Sequence, residues 1–258
     1  MNVLGELKEF YGGFRGEKGV IGDSERGAPI YFFAVKKTEK PVIIAQYAMH
    51  AREYICAYLG MLQIKDFIRK GTRGTVYFIP ALNPDGISVA LSENPLYKAN
   101  ANGVDLNVNF DARWGTGAKN VFTAGAENYV GKFPFSEKET RALRDFTLKM
   151  KPQATLSYHS KGEEIYWEFY QDEARRARDY KIAKAVSLST GYLLKSAVGS
   201  AGGYKDWCVE KLKIPALTIE VGSDRLSHPI KKRHAKEIFK KNAGTLEAVI
   251  NALSEVKV

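Results

Sequence analysis

Cysteine is scarce. The chain has two in 258 residues, Cys56 and Cys208, too few and too far apart for a disulfide framework. Neither stands in a Cys-x-x-Cys spacing, so both are expected to be buried thiols rather than metal ligands. Long apolar runs are missing as well. No stretch approaches the roughly 20 consecutive apolar residues of a membrane span, so no membrane partner is expected. The N-terminal MNVLGELKEFYGGFRGEKG carries charges where a signal peptide has its apolar core, and a cytoplasmic location is the expectation. Repeats, low-complexity tracts and a linker between two cores are also lacking, which points to one domain over 1–258. Acidic residues are in deficit: 39 Lys and Arg stand against 29 Asp and Glu, for a net charge of +10. Much of the excess lies in KKRHAKEIFKK, Lys231 to Lys241, where apolar positions continue through Ile238, Leu246, Val249, Ile250 and Leu253. That pattern reads as a solvated helix face, so no nucleic-acid partner is expected. The positive field can still favour small acidic substrates.

What is present is an alternation of element types. Residues 1–28 read as a helix and then a loop. Strands are expected at 29–37, 42–49, 75–83, 154–160, 164–169 and 216–222, with a turn at 71–74. Helices are expected at 53–69, 136–149, 173–190, about 204–212, and as one long C-terminal element. SEKE at 136–139 looks like a capping box, and Gly191 like a helix stop. This order indicates an α/β sheet with helices on both faces. The segment 87–135 has no clear periodicity, which argues against a simple run of βαβ units and for a mixed sheet.

The chemistry gathers at the ends of these strands. PVIIAQYAMHARE runs from a buried strand into His50 and, three residues on, Glu53 at the entry to a helix. The next strand ends in Asn83 of NPDG, another in His159 of SYHS, and the last presents Glu220 in TIEVG. In open α/β sheets, ligands bind in the crevice beyond the carboxyl ends of the strands. His50, Glu53 and His159 form a two-histidine, one-carboxylate set that can hold a catalytic zinc with one position left open. A carboxylate flanked by Ile219 and Val221 is costly to bury, so Glu220 reads either as an ion-paired residue or as a general base of raised pKa.

HARE, NPDG, GVDLNVNF, SYHS, GGYKDW and TIEVG, in that order and preceded by IGDSERGAPI, resemble the zinc metallocarboxypeptidases of the carboxypeptidase A type. The resemblance implies a single catalytic domain with a mixed sheet of about eight strands. It implies one Zn2+ held by His50, Glu53 and His159, with Glu220 as general base and proton shuttle and Arg52 beside the metal, binding substrate carbonyl or carboxylate groups. Two departures bear on substrate. The family's Asn–Arg clamp for a terminal carboxylate is represented by Asn107 alone, because Val108 stands at the arginine position and a valine cannot bind a carboxylate. The family's loop tyrosine falls on about Val198. Lys98 or Arg113 could supply the missing charge. Lys205 matches the position that lines the family's specificity pocket and suits a carboxylate-bearing group, with Tyr204 and Trp207 as possible pocket walls. These departures resemble a bacterial subgroup that cleaves γ-D-glutamyl–diaminopimelate bonds in cell-wall peptides, so a small murein-derived peptide is the expected substrate. A conventional carboxypeptidase, a zinc hydrolase acting on another amide or ester, and a silent binding protein are the alternatives. His228 and His234 are expected at the surface, with His228 able to border the cleft.

Overall fold

The computed structural model describes residues 2–71 and 73–256. The expected turn at 71–74 includes residue 72, which lies outside them. One eight-stranded sheet organises the chain, in the order β1-β2-β4-β3-β5-β8-β6-β7. Its strands are β1 (Glu17–Asp23), β2 (Pro29–Lys36), β3 (Val42–Tyr47), β4 (Thr75–Ile79), β5 (Ala154–His159), β6 (Glu164–Tyr166), β7 (Leu193–Lys195) and β8 (Ala216–Glu220). The centre is parallel, through β4-β3, β3-β5 and β5-β8. Antiparallel pairs β1-β2, β2-β4 and β6-β8 make the sheet mixed.

Eight α-helices accompany the sheet among the described residues: α1 (Val3–Gly13), α2 (Ile55–Lys70), α3 (Pro84–Ser92), α4 (Lys138–Met150), α5 (Glu173–Thr190), α6 (Tyr204–Trp207), α7 (Ala235–Asn242) and α8 (Thr245–Glu255). The strands' two-residue period divides the core. Ile43, Ala45 and Tyr47 of β3, Leu156 and Tyr158 of β5, and Leu217 and Ile219 of β8 face α2, α5, α7 and α8. Ile44, Tyr77 and Ala216 face the other way, against Leu143 and Phe146 of α4 and Tyr204 and Trp207 of α6. Each fully buried Ile or Leu among these contributes about 1.5–3 kcal/mol relative to exposure. No described helix is long and apolar enough to cross a membrane.

Several expected elements differ. β1 occupies what reads as a loop. EKGVIGD is broken by glycines and stays half-exposed, so its pairing with β2 leaves little periodic signal. NPDG starts α3 rather than only turning the chain: Asn83 Oδ1 accepts from the Gly86 amide at 2.9 Å, and Pro84 takes the first helical position. Ser136 does not cap α4. Its hydroxyl donates to Glu137 Oε1 at 2.6 Å, and Glu137 takes the N-cap position, one residue later than the SEKE box suggests. The expected C-terminal helix is two helices broken around Gly244. A Cβ added there would lie 2.5 Å from Ser189 Oγ, so α5 comes close to the chain at this break. Residues 208–212 continue α6 as a π-helical turn rather than a regular helix.

Candidate metal centre

His50 follows β3 and caps a short 3-10 turn, Ala51–Glu53, that turns the chain into α2. The turn needs no side-chain cap, because the Glu53 amide donates to the His50 carbonyl at 3.0 Å. It places His50 and Glu53, three residues apart, on one side of the corner. Beneath it, Asn83 Nδ2 donates to the Met49 and Ala99 carbonyls, both at 3.0 Å. The Asn83 side chain is therefore scaffolding beneath the corner.

His159 and Glu220 reach the same place from the sheet. They are direct register partners at the ends of β5 and β8. Because side chains alternate, Ser157, His159, Thr218 and Glu220 share the face opposite Leu156, Tyr158, Leu217 and Ile219.

Three donor atoms converge. His50 Nδ1 lies 2.9 Å from Glu53 Oε1 and 3.1 Å from His159 Nδ1, which lies 3.1 Å from Glu53 Oε2. All three residues are at most 7% exposed. Ligands about 2.1 Å from one zinc ion stand about 3.4 Å apart in a tetrahedron, so the set has to spread by only tenths of an ångström. The outward nitrogens are engaged elsewhere: His50 Nε2 meets Asp105 Oδ1 at 3.0 Å, and His159 Nε2 meets Ser157 Oγ at 3.0 Å. Outward bonding of this kind fixes a ligating histidine's tautomer and ring plane. The donor set and its supports fit a zinc ion.

The electrostatics follow from crowding. Burial alone would lower the pKa of His50, but the Glu53 and Asp105 carboxylates outweigh it and carry the group up to about 9. Burial would raise Glu53, yet the two histidines hold it well below the usual carboxylate range. Burial holds His159 below its ordinary value. Burial, then repulsion from Glu53, push Glu220 up to about 8, and the His50 charge that pulls it downward is outweighed. Two carboxylates in one site are thus driven in opposite directions.

A cleft of about 480 Å³ opens beside this centre, and His50, Asn107, Lys98, Lys205 and Glu220 line it. The substrate residues expected from the sequence are placed unevenly. Asn107 lies on the wall, its Oδ1 accepting from the Tyr204 amide at 3.2 Å. Lys98 lies there too, but its Nζ is 2.6 Å from Asp105 Oδ2 and 2.7 Å from Asn128 Oδ1. Lys205 is buried, with Nζ 2.5 Å from Asp206 Oδ1 and 2.8 Å from the Glu168 carbonyl. Arg52 is not on the cleft wall. It pairs with Glu127 Oε1 at 3.3 Å and reaches the Leu96 carbonyl at 3.4 Å.

Two expectations need correction. Arg113 is turned away from the cleft: it pairs with Glu210 at 2.9 Å and lies 3.4 Å over the Tyr170 ring. Tyr204 is fully buried and packs on Phe110 and Trp207, with its hydroxyl 2.8 Å from Thr147 Oγ1. It belongs to the α4–α6 core because a residue at the start of α6 faces the sheet. Trp207 lies in the same core.

Asp105 and Ser157 are the supporting residues that sequence reasoning passed over. Ser157 was accessible, since it stands one strand period before His159. Asp105 lies inside GVDLNVNF, but an irregular segment gives no signal of which histidine it meets. His228 is half-buried and its Nδ1 has no hydrogen-bond partner among the described residues.

A two-histidine, one-carboxylate centre on the strand ends of a mixed α/β sheet, with a half-buried carboxylate, Glu220, on the neighbouring strand end, defines a single-metal hydrolase architecture. Residues 14–243 match the family model described as zinc carboxypeptidase, and the chain belongs to that family. It is 28% identical over 266 residues to gamma-D-glutamyl-L-diamino acid endopeptidase 1 of Lysinibacillus sphaericus, a match that covers 89% of this chain and 66% of that relative's length. Among solved structures it superposes on bovine thrombin-activatable fibrinolysis inhibitor, in complex with tick carboxypeptidase inhibitor. That match has a TM-score of 0.87 at 19% identity and covers 99% of this chain and 98% of the other. It also superposes on the murein-tripeptide amidase of Escherichia coli O157, with a TM-score of 0.66 at 21% identity, covering 97% and 98%. At these identities the structural matches speak for the fold alone.

Proposed function

We propose that the protein is a zinc-dependent peptidase that cleaves γ-D-glutamyl–diamino acid bonds in small murein-derived peptides. The observation that carries the peptidase reading is the convergence of His50 Nδ1, His159 Nδ1 and the Glu53 carboxylate within 3.1 Å of one another. When bound by these groups, zinc supplies a Lewis acid that polarises the scissile carbonyl and makes water acidic enough to ionise near neutral pH.

The chain's own residues do the rest. Glu220 lines the cleft beside the ligand His159, in reach of the position where its carboxylate can take a proton from the attacking water. The same oxygen then returns that proton to the leaving amine. Asp105 holds the His50 ring through Nε2, and Ser157 holds His159. Lys98, on the cleft wall, pairs with Asp105 and so holds that carboxylate in place behind His50. Substrate choice rests on two supports: the name of the Lysinibacillus relative, and Val108 on the cleft wall where an arginine clamp would stand.

The test has two parts. Glu220→Gln is expected to keep its zinc and lose hydrolysis by at least about 100-fold, as removal of a general base does. Mass-spectrometric product analysis on a mixture of murein peptides and ordinary α-peptides is expected to show release at the γ-D-glutamyl bond. Sequential loss of C-terminal residues from the α-peptides, with the murein peptides untouched, would overturn the substrate assignment and leave the peptidase reading in place.

A further inference from the structure

Three cationic side chains line the cleft besides His50: Lys98, Lys119 and Lys205. Two are committed within the protein. Lys98 is held by Asp105 and Asn128, and Lys205 by Asp206 and the Glu168 carbonyl. Lys119 makes no hydrogen bond or ion pair with any described residue, and it is exposed. Of the acidic wall residues Asp105, Asp206 and Glu220, the first two face their own lysines and none pairs with Lys119, so Lys119 is the cleft lysine without an internal counter-charge among the described residues.

Its position is built rather than incidental. The Ala118 amide donates to the Gly199 carbonyl at 2.8 Å, and the Asn120 amide donates to the Gly117 carbonyl at 2.9 Å. A Cβ at Gly117 would lie 3.1 Å from the Ala201 nitrogen. The 116–120 loop is therefore seated on the 199–202 loop. That loop is seated on the segment around Val108: the Phe110 amide donates to the Gly202 carbonyl at 2.9 Å, the Gly202 amide donates to the Ala112 carbonyl at 2.8 Å, and a Cβ at Gly202 would lie 2.8 Å from the Val108 carbonyl oxygen. These stacked backbones carry Lys119 on the wall that Val108 and Val198 leave apolar. A lysine's flexible four-carbon stem lets its ammonium swing toward a ligand's charge.

We infer that Lys119 is the cation of this cleft that recognises a substrate carboxylate, in place of the clamp that Val108 cannot form. The inference rests on the peptidase reading for the nature of the ligand. It assigns to a substrate-facing loop a role that neither Lys98 nor Lys205 can fill without giving up an internal partner.

The test is calorimetric binding to zinc-loaded protein carrying Glu220→Gln, so that the ligand survives. The probes are L-alanyl-γ-D-glutamyl-diaminopimelate and the same peptide with its diaminopimelate carboxylates amidated. The acid form is expected to bind about tenfold more tightly than the amide, as for a charge-assisted hydrogen bond. Adding Lys119→Met is expected to abolish that preference, and Lys119→Arg to retain it. Thermal melts of the lysine variants should match the parent, since the side chain holds nothing in place. A preference that survives Lys119→Met, or its absence in the Lys119 protein, overturns the inference. Hydrolysis by the protein with Glu220 intact is measured alongside. Hydrolysis without an acid preference sinks the Lys119 assignment alone, whereas an acid preference without hydrolysis sinks the peptidase reading and leaves Lys119 as an anion-binding residue.

Discussion

Replacing Asp105 with asparagine tests how the centre is held together. Asp105 is 2% exposed and serves three donors: His50 Nε2 at 3.0 Å, Lys98 Nζ at 2.6 Å and the Asn107 amide at 2.9 Å. Asparagine keeps the volume and one acceptor oxygen, so the cap on Asn107 can persist. What disappears is the negative charge shared by His50 and Lys98. Breaking a buried ion pair costs about 3–5 kcal/mol. The Lys98 side chain is 18% exposed and keeps Asn128, which reduces the expected loss to about 2 kcal/mol. In a chain of this size that lowers Tm by about 4–8 °C. Metal affinity is a separate readout. A carboxylate behind a ligating histidine is worth about 10–100-fold in affinity, so the zinc dissociation constant should rise by that factor in a competition titration against a chromogenic chelator. Lys98→Met leaves Asp105 on His50 and should lose less zinc affinity than Asp105→Asn. An Asp105→Asn protein that binds zinc as tightly as the parent would refute the assignment of Asp105 as the group that orients His50.

Glu139 gives a pH signature away from the centre. Burial pushes its carboxyl from near 4.5 up to about 7, against the Asn100 amide and the Glu25 backbone amide that bond it. A raised folded pKa means that its stabilisation is complete below about 4.5 and is lost as pH rises through about 7. The stability of the parent relative to Glu139→Gln should therefore fall between pH 5 and pH 8, by up to about 3 kcal/mol, as read from urea melts. A difference that does not change with pH would show that Glu139 is already ionised in the folded protein. Tyr204→Phe should cost about 1–2 kcal/mol through the lost bond to Thr147 and leave KM unchanged. A several-fold KM change would put the ring in the substrate site after all. Gly202→Ala meets both a φ of +85° and the Val108 carbonyl at 2.8 Å, so it should destabilise by more than about 1 kcal/mol in the same melts.

How much of this was legible depended on whether the informative contacts are local. β3, β5 and β8 read as short, nearly continuous buried runs, because a central strand is covered on both faces and its residues must be apolar or functional. α5 was legible to its ends, since Asp172 caps it and Gly191 closes it with a φ of +76°. β1, the three-residue β7 and α3 were not. β1 and β7 lie at the sheet's two edges and carry little hydrophobic signal, while the turn chemistry of NPDG is also the chemistry of a helix start. The break between α7 and α8 falls beside Gly244, a poor helix former inside an otherwise continuous helical pattern.

The centre and the cleft divide along the same line. His50, Glu53, His159 and Glu220 each end or follow a strand, so an open α/β sheet brings them to one edge whatever the loops do. Charge in the cleft has no such shortcut. Lys98 and Lys205 look in sequence like cations available to a substrate, and only the fold shows Asp105 and Asp206 already facing them. A lysine neutralised inside the protein binds a carboxylate only by releasing a buried partner, and stranding that partner costs several kcal/mol. Lys119 carries no such penalty, yet its position reads as an unremarkable loop residue in GTGAKN. A reaction centre can therefore be found from strand ends alone, whereas a specificity cation is found only after every lysine's counter-charge is known.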